Sequence, residues 1–92
     1  MKVILYELGK KPMVKEIKND LKVFKEIVGG WIETFTQPNG IILVCNEEGK
    51  LIGLPANKIM FGDLIVGNFF LCRAKGEDFV SVTDEDIKYF IK

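Results

Sequence analysis

The chain has no histidine, which removes the commonest general base and the commonest metal ligand together. The groups left for proton transfer or nucleophilic attack are Cys45, Cys72 and the carboxylate runs Glu47-Glu48 and Asp84-Glu85-Asp86. Such groups do chemistry only with help: a base beside the nucleophile, or ligands converging on a metal. Neither cysteine has metal-ligand spacing. Each ends an apolar run, Ile41-Ile42-Leu43-Val44-Cys45 and Phe69-Phe70-Leu71-Cys72, where a free thiol behaves as a small hydrophobe. A disulfide between neighbouring strands is the alternative. Glu47 and Glu48 read as solvated turn residues, and Asp84, Glu85 and Asp86 suit the positive end of a helix. Gly62 and Gly67 have phosphate-loop spacing, but no Lys-Ser/Thr follows the second glycine. The expectation is a protein that is not an enzyme, with no catalytic residue, metal or cofactor.

Binding chemistry is better represented. Leu54-Pro55-Ala56-Asn57-Lys58 combines a stiffened backbone, an amide and an ammonium, followed by the apolar run Ile59-Met60-Phe61. Polar groups beside an apolar patch on a loop can form a recognition surface. In one reading Lys58 meets a phosphate, Asn57 a base edge or sugar, and Trp31 a base face. If the protein is instead an assembly domain, Ile59, Met60 and Phe61 form its oligomer interface. In the competing reading Pro55 and Asn57 only shape a crossover, while Ile59 and Phe61 plug the open end of a sheet.

The elements that must position these residues follow from pattern. Val3–Glu7 is a β-rich run, and Met13–Lys18 mixes apolar and charged positions like a half-exposed strand. Asn19 or Asp20 can cap a helix that places Leu21, Phe24, Ile27 and Val28 on one face and stops at Gly29-Gly30. Trp31–Thr36 is a strand, and Gln37-Pro38-Asn39-Gly40 a hairpin turn. Ile41–Cys45 is apolar throughout, so it is expected at the sheet centre. Asn46-Glu47-Glu48-Gly49 suits a type I turn with Gly49 left-handed, returning into a short strand Lys50–Gly53. Leu54–Asp63 reads as a long loop with one helical turn. Leu64–Arg73 reads as a strand interrupted by Gly67, and Phe79–Val82 as the last strand. Thr83-Asp84-Glu85-Asp86 is a capping box opening a helix with Ile87, Phe90 and Ile91 inward. The predicted fold is α+β: a small, curved, antiparallel or mixed sheet of six to seven strands packed by two short helices.

Length and charge narrow the function. The 92 residues allow one domain, 1–92, and 48% are hydrophobic, including seven Phe. An apolar excess in so small a chain favours burial against a second copy, a homo-oligomer. Thirteen basic and thirteen acidic residues lack the basic footprint of a nucleic-acid binder. Trp31, Phe35 and Tyr6 on strands keep single-strand stacking as a minor alternative. The first 25 residues carry seven Lys against Glu7, Glu16 and Asp20, and acids gather late, an asymmetry that could act across an oligomer contact. The first apolar run meets Glu7 too early for a signal peptide, and no stretch approaches a membrane span. A cytoplasmic location is expected.

Val28-Gly29-Gly30-Trp31-Ile32-Glu33 comes first, then Asn46-Glu47-Glu48-Gly49-Lys50-Leu51, Gly53-Leu54-Pro55 and Asn57. Ile65, Gly67, Phe69-Phe70 and Ser81-Val82-Thr83-Asp84-Glu85 follow in order. This series resembles the domain of unknown function 3846 family, small proteins of phages, plasmids and Gram-positive bacteria. The likeness covers nearly the whole chain, although Leu54–Leu64 is shorter than in many members. It implies a mobile-element setting and no defined activity. The functional expectation is a non-catalytic accessory protein that inhibits a host protein or sequesters a small nucleotide-like ligand. The alternative is a protein–protein assembly domain.

Overall fold

A computed structural model describes residues 1–92. Ten elements follow one another: β1 (Lys2–Tyr6), β2 (Met13–Glu16), α1 (Leu21–Val28), β3 (Ile32–Thr36), β4 (Ile42–Asn46), β5 (Ala56–Met60), β6 (Asp63–Val66), β7 (Phe69–Lys75), β8 (Asp78–Val80) and α2 (Asp84–Phe90). The fold is α+β with a curved sheet. Its main sheet runs β2-β1-β7-β4-β3, with β8 on the far half of β7, and β5-β6 forms a separate hairpin. Every pairing is antiparallel.

The central strands are apolar on both faces because both faces are covered. On one side Val3, Leu5, Ile42, Val44, Phe70 and Cys72 pack with Phe24 and Val28 of α1. On the other Ile4, Tyr6, Leu43, Cys45, Phe69 and Leu71 pack with Met60 and Ile65 of the hairpin and with Ile87 and Phe90 of α2. Cys45 and Cys72 are both free thiols. They lie on opposite faces, so a bond between them would have to cross the sheet.

Capping chemistry sets both helices. Asp20 is the N-cap of α1 and accepts from Lys22 N, and Gly29 ends the helix in the left-handed region. Leu21, expected on the inner face, is about half exposed, so the buried face of α1 rests on Phe24 and Val28. Thr83 and Asp86 complete the capping box of α2. Asp86 does more than offset a helix dipole. It accepts from Arg73 Nε at 2.6 Å and Nη2 at 2.8 Å, while Arg73 Nη1 donates to Asn39 O at 2.9 Å. One forked guanidinium thus joins β7, α2 and the β3–β4 turn.

Four expectations are corrected. Lys50–Gly53 is a turn and not a strand. Asn46 Oδ1 accepts from Glu48 N, its Nδ2 donates to Val28 O, and Ile52 N donates to Glu48 O, curling the chain before it can return. Gly49 is not left-handed; a Cβ there would lie 2.8 Å from Val66 Cγ2, so close approach requires the glycine. Leu54–Asp63 holds strand β5 rather than a helical turn. Leu64–Arg73 is two strands, β6 and β7, with a reversal at Gly67-Asn68.

The Arg73–Asp86 hydrogen bonds, helped by those from Thr83, hold the Asp86 carboxyl at about 2 against burial that pushes it up. A carboxyl depressed in the folded state stabilises fully above its unfolded value near 3.8, and that contribution is lost as pH falls towards about 2. The depression corresponds to about 2 kcal/mol. Urea unfolding should show the wild type losing this much more stability than Asp86→Asn between pH 5 and pH 2; parallel profiles would deny the pair that role.

Candidate functional site

A furrow runs along β3 on the face that the hairpin covers only in part. Three adjoining cavities compose it, of about 130, 120 and 490 Å³. The first two share Phe35, Asp63 and Ile65, and the last two share Gln37 and Phe61. Glu33 and Phe35 of β3 and the turn Gln37-Pro38-Asn39 form one bank. Asp63 and Leu64 of β6 and the tip residue Phe61 form the other. Lys50 and Leu51 close one end, Tyr89 and Phe90 of α2 the other, and Cys45 and Leu43 of β4 lie beneath.

Period-two alternation places these side chains. Glu33 stands opposite Cys45 and Phe35 opposite Leu43, so Glu33 and Phe35 share the hairpin face. The curled Lys50–Gly53 turn leaves Leu51 87% exposed at the furrow's end. Phe35, Phe61, Leu64 and Tyr89 are exposed large hydrophobics as well. Among the lining carboxylates, Asp63 pairs with Lys50 at 3.2 Å and Asp86 with Arg73. Glu33, Glu47 and Glu85 have no ion-pair partner. Burial first, then Glu33 and Asp63, push the Cys45 thiol up to about 11, against a smaller opposing effect of Lys50. The thiol is therefore held protonated and is a poor nucleophile.

Phe61 is the one non-glycine residue with positive φ, at 52°, followed by Gly62 at 78°. Met60 pairs with Asp63, so Phe61-Gly62 is a two-residue hairpin loop with both residues left-handed, a position that ordinarily takes Asn-Gly. A bulky side chain there costs about 1–2 kcal/mol. The ring meets Phe90 edge-on with centroids 6.2 Å apart, and Phe90 meets Tyr89 at 4.9 Å, an aromatic row at the furrow's α2 end.

The residues proposed from sequence are dispersed. Trp31 precedes β3, is 58% exposed and carries Lys25 Nζ 3.7 Å from its ring centroid. Asn57 donates to Tyr6 O at 3.0 Å and Gly67 O at 2.8 Å, tying β5 to the end of β1 and to the β6–β7 reversal. Lys58 Nζ lies 5.5 Å from the Tyr6 ring centroid. Strands β7 and β4 stand between β1, to which Asn57 is bonded, and β3, which Trp31 precedes; those two strands are three inter-strand spacings, roughly 14 Å, apart. In the apolar run Ile59 is 70% exposed and Met60 7%, and only Phe61 reaches the open part of the furrow. Leu51 and Leu64 have no distinguishing mark in sequence, and Phe35 has only that of a strand aromatic; the edge position of β3 is what exposes it.

Fold and furrow together define a small α+β sheet protein with an open-sided groove lined by apolar side chains and carboxylates. The chain belongs to the family described as Domain of unknown function (DUF3846), whose family model matches residues 1–92. No curated protein and no solved structure matches it. No helix is long and apolar enough to cross a membrane.

Two substitutions separate folding from surface roles here. Asn57→Ala strips two backbone carbonyls of their donor and should cost about 1–3 kcal/mol in chemical denaturation, whereas Lys58→Ala should change stability by less than about 0.5 kcal/mol. Equal small effects would remove Asn57 from the structural frame. Phe61→Asn relieves the left-handed backbone while giving up a half-exposed ring, so stability should stay within about 1 kcal/mol of wild type. A larger loss would make Phe61 a core residue rather than a furrow residue.

Proposed function

We propose that this protein is a non-catalytic accessory of a mobile genetic element that works by binding, and that the furrow takes an extended apolar and basic segment of a host protein. The observation that carries the reading is the furrow's lining: half-exposed Phe35, Leu64 and Phe61 beside Glu33, Glu47 and Glu85, carboxylates without an ion-pair partner. Soluble monomers seldom leave apolar side chains grouped along a groove unless something covers them. Uncompensated carboxylates beside them suit lysine or arginine in the segment that does so. The mobile-element setting is what the family resemblance implies. Sequestration of a nucleotide-like ligand has less support, because Trp31 lies on the β3 side of the sheet, away from Asn57 and Lys58, and the Asn57 amide is already bonded to Tyr6 O and Gly67 O. Single-stranded nucleic acid is disfavoured by the acidic furrow.

The test is an NMR titration of isotopically labelled protein with a short peptide alternating lysine and leucine, and with its glutamate-for-lysine counterpart. Saturable shifts should map to Phe35, Phe61 and Leu64 for the basic peptide alone and weaken with salt. Combining Glu33→Gln with Glu85→Gln should lower the affinity about fivefold. Absence of saturation, or shifts mapping away from the furrow, would overturn the proposal.

A further inference from the structure

β3 is an end strand whose free edge is unprotected. Glu47 N donates to Trp31 O at 2.8 Å and Gln37 N to Ile41 O at 2.7 Å, which fixes the phase of the β3–β4 ladder. Odd-numbered residues of β3 turn their backbone groups towards β4, so Ile32, Thr34 and Thr36 turn theirs outward. Edge strands are usually blunted with lysine, proline or a bulge. β3 reads Ile-Glu-Thr-Phe-Thr and pairs with β4 without a register shift. The opposite edge, β2, is blunted: Lys15 lies within it, and Lys11, Pro12 and Lys18 flank it. Met1 and Ile17 exchange backbone bonds, which leaves Val14 and Glu16 outward in β2 and puts Pro12, with no N–H, in the same outward series.

We propose that β3 pairs antiparallel with β3 of a second copy across a two-fold axis at Thr34, joining two sheets into one. Outward-facing residues must meet outward-facing residues, which restricts the register to steps of one axis position. An axis at Thr34 sets Thr34 opposite Thr34 and Ile32 opposite Thr36, so every outward N–H and C=O of the strand finds a partner. On the furrow face it sets Glu33 opposite the partner's Phe35, twice. An axis at Glu33 would place two carboxylates directly opposite each other. An axis at Phe35 would bring Pro38 into the ladder opposite Ile32, where a donor is needed. The contact is isologous and closes as a dimer, whereas β2-to-β3 pairing would propagate without end. A two-fold axis normal to the sheet keeps both furrows on one face, side by side, with each Phe35 walling the mouth of its neighbour's furrow. The strand edge and the furrow's occupant are separate matters: failure of the dimer leaves the peptide titration standing, and failure of the titration leaves the dimer.

Sedimentation velocity over a concentration series should show monomer and dimer in exchange. Disulfide trapping then reads the register. Oxidised Thr34→Cys should run at twice the 10.4 kDa chain mass. Ile32→Cys or Thr36→Cys alone should remain single, and an equal mixture of those two should cross-link. Buried Cys45 and Cys72, with thiols pushed up to about 11 and about 12, do not compete. Phe35→Glu should weaken association about tenfold by facing Glu33 of the partner, and Phe35→Lys should preserve or tighten it. A sedimenting monomer at every concentration with Thr34→Cys uncross-linked overturns the proposal. So does trapping by Ile32→Cys alone, which requires a different register.

Discussion

The three interior strands, β1, β7 and β4, are apolar on both faces, and the rest of the chain is arranged around covering them. Ile42 and Val44 face α1 while Leu43 and Cys45 face the hairpin, so neither face can be left to water. One side is covered by a single helix, with Phe24 and Val28 reaching down. The other side needs two separate pieces, the β5–β6 hairpin and α2, because neither is broad enough alone. A two-stranded ribbon spans about one inter-strand spacing, near 4.8 Å, against four such spacings between β2 and β3. The hairpin also leans towards β1, where Asn57 holds it to Tyr6. β3 is therefore left beyond the edge of the cover, and the furrow is the space that remains.

The Arg73–Asp86 fork has to be understood within that arrangement. α2 is seven residues long, too short to be stable alone, and it packs Ile87 and Phe90 against the hairpin-side core. The fork ties it to β7 and, through Asn39 O, to the turn that follows β3. The same contact fixes the distance between the Gln37-Pro38-Asn39 bank and Tyr89-Phe90. Removing one member of a largely buried pair leaves the other uncompensated, so helix and furrow end would loosen together.

What could be read in sequence follows the range of the interactions involved. Both helix starts, the Gly29 stop and the central place of Ile41–Cys45 depend on neighbours within a few residues, and all were legible. The β5–β6 hairpin was not. Its turn is Phe61-Gly62, and no local rule favours phenylalanine in the left-handed first position; the aromatic contact with Phe90, on an element far along the chain, accompanies that choice. Lys50–Ile52 has the look of a strand start, yet Asn46 uses its side chain on Glu48 N and Val28 O and diverts the chain. Asn57 was conspicuous as an amide on a loop, but its acceptors, Tyr6 O and Gly67 O, are 51 and 10 residues away. The furrow is the extreme case. Leu64 looks like a core residue in any window of sequence, Phe35 and Phe61 are as consistent with core as with surface there, and only the limited width of the cover makes them surface.

That last point bears on how such a surface is kept. A chain of this size could hide Phe35 and Leu64 by extending the hairpin by one strand. It could blunt β3 with a lysine, as it has done at β2. It does neither, and it places Phe61 in a backbone region that disfavours it. Three independent departures from what stability and solubility alone would favour fall along one strand and the groove beside it. Strain and exposure of this kind persist in natural sequences where another contact offsets them. The physical content of a binding role is that the offset comes from outside the monomer: apolar area covered by a partner, and backbone donors on β3 satisfied by a strand the monomer does not contain.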